Sequence, residues 1–319
     1  MSAQTNKTFF FSSPTLLLAA VFLLPSLEPS FFGLINGILA VPVLYTLRNF
    51  GPGRGAVILR NALLVAGGGA LLLQHIEVFL FSLTLAPLGF SLNRSVDVGE
   101  SAAVAGGKGS VVLALSWFVF WAGFGVLAEI HPYRQLIELL DAGFAQTYEI
   151  YSKNTDLSAD VLLNLEQAVT QLRELVPRVL PGVLAGTVLL TVWMNMVAAN
   201  IFLGLKTPEN SPWPRYSTWR LPEQLVWIPI VSSVLILTGS GIVRDIGICL
   251  VLVSCMVYFF QGVAVFIHLL DRWNVPRYIR VLLYFILVIQ SFGLLLLAVL
   301  GIADVWINFR QREQNDHST

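Results

Sequence analysis

The sequence predicts an all-α, polytopic integral membrane protein with about eight transmembrane helices, nine being the alternative, and one amphipathic helical insert. Hydrophobic residues make up 56% of its 319 residues and charged residues only 12%, about half the charged share of soluble domains. The mean hydropathy is +0.75, and several apolar runs exceed the roughly 18 residues that mark a spanning helix. This composition excludes a soluble enzyme, a disordered chain, a disulfide scaffold and a basic nucleic-acid-binding domain.

Eight apolar runs are the predicted spans: 15–27, 31–47, 61–90, 111–127, 181–203, 225–238, 246–270 and 281–302. Glu28 separates the first two runs, because a carboxylate belongs at a membrane interface rather than at mid-bilayer. We expect the first run to be retained as a span, since no small-residue cleavage site follows it. The next loop carries three arginines and no acidic residue, which predicts a cytoplasmic position: Arg48, Arg54 and Arg60.

The third run, 61–90, leaves the number of spans open. Its 30 residues would form a helix about 45 Å long, too long for one straight crossing of a core about 30 Å thick. Three consecutive glycines, Gly67 to Gly69, allow either one tilted, broken helix or two short ones. Two helices give nine spans, whereas one gives eight with both chain ends in the cytoplasm. We expect segment 91–109 to be a loop, and the Pro- and Trp-rich connection 206–223 to lie at the headgroup level.

Residues 129–178 form a long segment of more soluble character between the apolar halves. Apolar residues recur there near the helical period in two stripes, Leu136, Ile137, Leu139, Leu140 and Phe144, then Val161, Leu162, Leu165, Val169, Leu172 and Leu175. We expect two amphipathic helices at or just outside the membrane surface, joined at Lys153-Asn154-Thr155. Eight acidic residues against four basic ones exclude a polybasic lipid anchor. The predicted organisation is a transmembrane region 1–128, this insert, a transmembrane region 179–305 and a polar tail 306–319.

Five polar residues in the apolar runs are candidates for ligand binding: Asn36, His75, Glu77, Asn195 and Gln261. A carboxylate among apolar residues costs at least about 2.5 kcal/mol at the bilayer centre, so Glu77 is a functional candidate. The alternative is that His75 and Glu77 mark an interface between two short helices, and that the asparagines hydrogen-bond between helices. Gln261 shares a helix face with His268 and Asp271, which either a ligand path or a water boundary explains.

The sequence predicts no enzymatic activity, no metal site and no cofactor. It contains neither an HExxH nor a GxSxG motif, and its four histidines are scattered. Cys249 and Cys255 lie six positions apart in one apolar run, and we expect both to be ordinary apolar side chains of a span. Asp304 ends the last span, and we expect it to be a structural lock, with Arg310 on the opposite side of one continuous helix.

Three short elements follow one another in the C-terminal third. They are Trp219-Arg220-Leu221-Pro222, Gln261-Gly262 and Gly301-Ile302-Ala303-Asp304. In this order the chain resembles the YybS-type family of predicted bacterial membrane proteins, a family named for its unknown function. The resemblance implies a multi-pass protein of the bacterial inner, cytoplasmic membrane, and it departs from the family pattern at Asn308, where Asp is common. The family is loosely similar in membrane layout to the substrate-binding subunits of energy-coupling-factor vitamin transporters, which implies a related fold.

Two functions are the resulting hypotheses. The first is a solute-binding or transport subunit, in which the five candidate residues line a cavity among broken, glycine-rich spans. Such a subunit would need a partner protein or an ion gradient, because no nucleotide-binding motif is present. The second is a structural or regulatory protein that docks a partner membrane or peripheral protein through the insert. The lipid bilayer surrounds the protein in both hypotheses, and neither includes a nucleic acid.

Two observations would separate these hypotheses. A protein-lined cavity that joins His75 and Glu77 to Asn195 or Gln261 would favour transport. An exposed stripe at Val161, Leu165 and Leu172 would favour docking, since an apolar face buried against the chain itself cannot bind a partner.

Overall fold

The structure is a computed structural model that describes residues 12–153, 158–205, 211–290, 292–307 and 309–310. Within these residues it contains helices and no strand, which confirms the predicted all-α class. Parts of four predicted features lie outside the described residues: the break at Asn154-Thr155, the connection from 206 to 210, Asn308, and the tail from 311 onward.

We number the α-helices in chain order. They are α1 Ser13–Leu27, α2 Pro29–Phe32, α3 Ala40–Phe50, α4 Pro52–Leu72, α5 Ile76–Leu83, α6 Ala86–Asp97, α7 Ala102–Leu127, α8 Pro132–Ser152, α9 Ala159–Gly204, α10 Trp227–Thr238, α11 Ile242–Arg272, α12 Arg277–Ile289 and α13 Gly293–Ile307. Short 3-10 helices lie at Gly33–Ile38, Tyr216–Thr218 and Glu223–Val226.

Five helical segments of the described chain are long and apolar enough to cross a membrane: α4, α5 with α6, α7, most of α9, and α11. Helix α1 and the following segment Pro29–Ile38 are bent by 111° relative to each other. If the two are one broken span, they are a sixth crossing. The helices α10 and α13 are apolar but have only 12 and 15 residues. The predicted count of eight or nine crossings is therefore not confirmed, whereas a membrane protein with several spanning helices is.

The ambiguous run 61–90 is divided among three helices, since it contains the end of α4, all of α5 and the start of α6. Helix α4 ends at Leu72, and the chain turns at Gln74, whose φ of 60° lies in the left-handed region. The three glycines lie inside α4 and not at the break. The predicted loop 91–109 is wrong for most of its length, because α6 continues to Asp97 and α7 begins at Ala102. Glycine is tolerated in a membrane helix, where the backbone must satisfy its own hydrogen bonds.

The predicted last span, 281–302, is also divided into two helices. Helix α12 ends at Ile289, and α13 begins at Gly293. Gly293 lies so close to the end of α12 that a Cβ atom on it would overlap the carbonyl oxygen of Leu287. Gln290 and Ser291 interrupt the apolar run at this break, but two polar residues in a long apolar run do not by themselves predict a helix end.

The two predicted amphipathic helices of the insert are present as α8 and the first part of α9. Helix α9 does not end at residue 178 but continues without interruption to Gly204. Pro177 and Pro181 lie inside it, although proline in a helix interior removes one backbone hydrogen bond. The segment 181–203, predicted as a separate span, is therefore the C-terminal half of the helix that begins in the insert.

The described chain divides into two compact units. The first contains the described residues of 1–117, 188–224 and 256–319, and the second contains 118–187 and 225–255. In the first unit α1 packs along α4, and α3 packs against α4 and α6. Gly89 of α6 allows a close approach to α3, because a Cβ atom there would lie 2.5 Å from the Cβ of Val43. In the second unit Gly182 of α9 lies directly against Cys249 of α11.

Candidate functional site

Asn195 is fully buried on α9 and is bound to backbone groups. Its amide donates to the carbonyl oxygens of Gly37, at 2.6 Å, and Thr191, at 2.8 Å, and its Oδ1 accepts from the N–H of Val41 at 3.2 Å. Val41 lies in the first turn of α3, where backbone N–H groups have no partner within the helix. Asn195 therefore satisfies the backbone where the chain passes from a 3-10 segment to α3.

Asn36 lies in the same 3-10 segment, Gly33–Ile38. The hydroxyl of Ser82, on α5, lies 2.5 Å from Asn36 Oδ1 and 2.9 Å from the carbonyl oxygen of Val78, and it can donate to one of them at a time. Asn36 and Asn195 thus hold one irregular segment from two sides. The structure brings these two candidate residues to one place. Both form hydrogen bonds between chain segments, which was the alternative to ligand binding in the sequence analysis.

His75 and Glu77 lie at the break between α4 and α5. His75 Nδ1 is 3.5 Å from Glu77 Oε1, and the two side chains are 43% and 52% exposed. In the described part of the chain, neither contacts Asn195 or Gln261 through a hydrogen bond or ion pair. The hydrogen bonds and ion pairs of the described residues do not join all the candidate residues at one place, and a ligand-binding role for these two stays a prediction. Among the described residues, no group of three His, Cys, Asp or Glu could hold a metal ion.

Gln261 lies in a buried polar network with Asp304. Gln261 Nε2 donates to Asp304 Oδ2 at 3.1 Å, and its Oε1 accepts from the N–H of Leu221 at 3.3 Å. Arg310 donates to the same Asp304 oxygen at 2.5 Å, and the two charged side chains are each only 4% exposed. A second Arg310 nitrogen donates to the carbonyl oxygen of Trp219 at 2.6 Å.

The position of Arg310 corrects the sequence prediction. Helix α13 ends at Ile307, and a turn then directs Arg310 back toward Asp304. On a continuous helix six residues would separate the two side chains by about 240° around the axis, so they could not pair. The expectation that Asp304 is a structural lock stays a prediction, but the structure supplies partners that such a lock requires.

The buried network depends on an unusually close helix crossing. Cβ atoms on Gly262 of α11 and Gly301 of α13 would overlap the carbonyl oxygens of Leu297 and Tyr258 respectively. Only glycine allows the two backbones to touch in this way. The crossing brings Gln261, next to Gly262, within reach of Asp304, one helical turn beyond Gly301. The three short elements of the C-terminal third therefore meet at a single site.

An aromatic cluster fixes the connection between α9 and α10. The indole of Trp193 donates to the hydroxyl of Tyr216 at 2.9 Å, and that hydroxyl donates to the carbonyl oxygen of Phe260 at 2.5 Å. The rings of Trp193 and Phe260 stack with centroids 4.9 Å apart. Burial raises the pKa of Tyr216, so its hydroxyl stays protonated and keeps this donated bond. The sequence placed Tyr216 in a connection at the headgroup level and Trp193 and Phe260 inside two predicted spans, and it gave no indication of the contacts among the three.

Beside this cluster is an open pocket of about 630 Å³ at the end of α9. It is lined by Asn200, Ile201, Gly204, Leu205, Ser211, Pro212, Trp213, Pro214 and Arg215. None of the candidate ligand-binding residues lines it. The sequence signal that could have found it is the density of Trp and Pro immediately after a predicted span.

The insert forms an antiparallel helical hairpin from α8 and the N-terminal half of α9. The hydroxyl of Tyr133 donates to the carbonyl oxygen of Pro177 at 3.1 Å, and Arg173 Nε lies 2.6 Å from Asp141 Oδ1. From Tyr133 to Asp141 the residue numbers rise along α8, while those of their partners fall from Pro177 to Arg173 along α9. The two helices are therefore antiparallel.

The hairpin exposes much of its apolar stripe. Val161 is 48% and Leu172 40% exposed, while Leu165 is partly buried and Val169 is buried. Other apolar side chains of the hairpin are exposed as well: Leu139, Ile150, Leu163 and Leu175. The docking hypothesis expects Val161, Leu165 and Leu172 to be exposed, and two of the three are.

One family sequence model, described as a predicted membrane protein (DUF2232), matches residues 16–305. Neither the curated proteins nor the solved structures include a match to the chain. The expected likeness to substrate-binding subunits of energy-coupling-factor transporters has no support in these comparisons. The family match covers both predicted membrane regions and the hairpin between them, so the chain belongs to the DUF2232 family of predicted membrane proteins.

Proposed function

We propose that this protein docks a partner protein at a membrane through the hairpin of α8 and α9, and that the membrane is the cytoplasmic membrane of a bacterium. The observation that supports the proposal most is the exposed apolar stripe that includes Val161 and Leu172. A transport function receives less support, because its candidate residues lie at three separate places and mostly bind the protein's own groups.

The hairpin is held as a defined surface before any partner binds. Its helices are joined near one end by Tyr133 and Pro177 and further along by Arg173 and Asp141. Contacts made within the free protein lower the ordering cost that binding would otherwise have to overcome. The apolar residues are therefore presented by two helices in a fixed arrangement rather than by a flexible segment.

Charge identifies the chemistry of the partner. Between Pro132 and Arg178, the described helical residues include six exposed acidic side chains: Glu138, Asp141, Glu149, Asp160, Glu166 and Glu174. Arg173 pairs with Asp141 and Lys153 with Glu149, whereas the other four form no ion pair within the described residues. These acidic side chains would repel an anionic lipid surface. A protein surface with apolar side chains and surrounding Lys or Arg is complementary to them.

The proposal includes a transmembrane count of eight. Five of these crossings are the long segments, and the sixth is the bent pair of α1 with Pro29–Ile38. The other two are the shorter apolar helices that contain α10 and α13. The short helices would cross by local thinning of the bilayer, which costs only fractions of a kcal/mol per Å of mismatch.

Site-specific photo-crosslinking in cells tests the docking function. A photoreactive amino acid is placed at Leu139 or Leu172 on the exposed stripe, and at Gln167 as the matched control. Gln167 is exposed and lies about 140° around α9 from Leu172. We expect one protein, identified by mass spectrometry, to crosslink from both stripe positions and not from Gln167.

The identified protein is then purified, and its binding to the full chain is measured directly. Leu172→Asp should weaken this binding at least about tenfold, because it places a charge in the apolar contact. Gln167→Asp should leave the affinity unchanged. Crosslinks to lipid alone, to a second copy of this chain, or equally from all three positions would refute the proposal.

A further inference from the structure

The pocket at the end of α9 has a fixed frame. Asn200 Oδ1 accepts from the N–H of Trp213 at 2.9 Å, and Asn200 Nδ2 donates to the carbonyl oxygen of Pro214 at 3.2 Å. The indole of Trp219 donates to the same Pro214 oxygen at 2.8 Å. Gly204 allows the close approach of the connection, because a Cβ atom there would lie 2.5 Å from Ser211 Oγ. These bonds fix the connection against the end of α9 on both sides of the pocket.

The lining combines apolar walls with one positive charge. Ile201, Leu205 and two prolines supply apolar surface, and Arg215 is the one charged residue among the described residues of the lining. Arg215 is exposed and forms no ion pair in the described part of the chain. Trp213, another lining residue, has a buried indole N–H without a hydrogen-bond partner among the described residues. An anionic oxygen can pair with the guanidinium and with N–H donors of this kind.

The pocket also lies at the end of a helix that is long and apolar enough to cross a bilayer. The apolar run 181–203 of α9 has 23 residues and a length of about 34 Å, close to the thickness of a hydrocarbon core. The pocket begins at the end of that run, and Trp213, Tyr216 and Trp219 follow it. Tryptophan and tyrosine are enriched at the headgroup level of membranes. A volume of about 630 Å³ is within the range of small-molecule sites.

We propose that this pocket binds a phosphate group through Arg215, with an apolar neighbour of that phosphate against the proline, leucine and isoleucine walls. A phospholipid head at the bilayer surface carries both features, and a free phosphate carries the first. This proposal is independent of the docking function, since no residue of the hairpin contributes to the pocket.

Native mass spectrometry of the full-length protein in a neutral detergent tests the proposal. The probes are phosphatidylglycerol, phosphatidylcholine and inorganic phosphate, each titrated separately. We expect one retained phosphatidylglycerol per chain. Arg215→Gln should weaken its retention at least about tenfold, since a charge-assisted bond is lost. Arg220→Gln is the matched control, because Arg220 is exposed in the same connection and does not line the pocket.

Ile201→Trp provides a second test that does not change charge. The larger side chain should obstruct part of the pocket and weaken retention of the lipid, with an unchanged melting temperature as the check on folding. Retention of inorganic phosphate that depends on Arg215, without retention of lipid, would support the site and identify free phosphate as the source. Equal retention by the parent protein and Arg215→Gln, or no retention of any of the three probes by the parent protein, would overturn it.

Discussion

At the scale of single residues, a proline of α9 leaves one backbone carbonyl without its helical hydrogen bond, and a side chain of α8 supplies a replacement. Pro181 has no N–H group, so the carbonyl oxygen of Pro177, four residues earlier, has no partner within the helix. The hydroxyl of Tyr133 donates to this oxygen at 3.1 Å. One residue of α8 thus stabilises α9 where its backbone is weakest and also joins the two helices of the hairpin.

The contact predicts the effect of Tyr133→Phe. Loss of the hydroxyl should destabilise the hairpin by about 1 kcal/mol, and amide exchange in α8 should accelerate about fivefold. Hydrogen–deuterium exchange of the detergent-solubilised protein measures this. Tyr148→Phe is the control, because Tyr148 lies in the same helix and has no side-chain hydrogen bond among the described residues. Equal exchange rates in the two variants would contradict the role of Tyr133.

A second residue-scale prediction concerns the buried pair of Asp304 and Arg310. Asp304→Ala leaves the Arg310 charge buried without its partner, which should lower the free energy of unfolding by about 3 kcal/mol or more. Adding Arg310→Met should recover part of the loss, because no buried charge then remains. The apparent melting temperature in detergent reports both effects.

An exposed ion pair serves as the control for that experiment. Lys153 and Glu149 are four residues apart on the surface, and Lys153→Ala should change stability by less than about 0.5 kcal/mol. A loss from Asp304→Ala as small as this would show that the buried pair has no structural importance.

At the scale of elements, glycine decides which helices can touch. Gly262 and Gly301 lie at the crossing of α11 and α13, where any Cβ atom would overlap a backbone carbonyl. Gly123 of α7 has no other atom within 4 Å of the position where its Cβ would be. The same residue type therefore has opposite importance at these positions, which no sequence pattern distinguishes.

The difference predicts opposite outcomes for similar substitutions. Gly262→Ala should separate α11 from α13 and reduce the melting temperature and monodispersity of the purified protein, because a backbone atom cannot move aside as a side chain can. Gly123→Ala should leave both properties unchanged or slightly improve them, since alanine is the better helix former. A stable, monodisperse Gly262→Ala protein would show that the close crossing is not required.

The sequence predicted the location of apolar helices better than the location of their ends. Hydropathy identified α7, α11 and the apolar part of α9, because burial in lipid requires long apolar runs. It missed the breaks before Ile76 and Gly293, which depend on local turns within apolar segments. It also ended the insert at 178, whereas Tyr133 helps α9 to continue through its prolines.

The candidate residues show a similar limit. Asn36, Asn195 and Gln261 were selected as polar groups among apolar residues, and each is hydrogen-bonded within the protein. A ligand and a neighbouring backbone require the same donors and acceptors, so the selection could not separate the two roles. Arg310 could not be assigned to Asp304 from the sequence, because the turn after Ile307 has no sequence signature.

At the scale of the whole molecule, α9 predicts the side of the membrane that each of its ends reaches. Its C-terminal apolar half is about 34 Å long, so Gln167 in the hairpin and Thr218 in the Trp-rich connection should lie on opposite sides. Single cysteines at these exposed positions, with Cys249 and Cys255 replaced by alanine, should react with an impermeant maleimide from opposite faces of sealed vesicles. Labelling of both from one face would mean that α9 does not cross.

A third cysteine, at the exposed Arg277, decides whether the short helix α10 crosses as well. Between Thr218 and Arg277 the chain contains α10, with 12 residues, and α11, with 31. The length of α11 is sufficient for a crossing, whereas α10 spans about 18 Å and needs a thinned bilayer or the adjoining 3-10 turn. If both cross, Arg277→Cys labels from the same side as Thr218→Cys, which is the outcome we expect from eight spans. Labelling from opposite sides would leave α10 within one leaflet and exclude the count of eight.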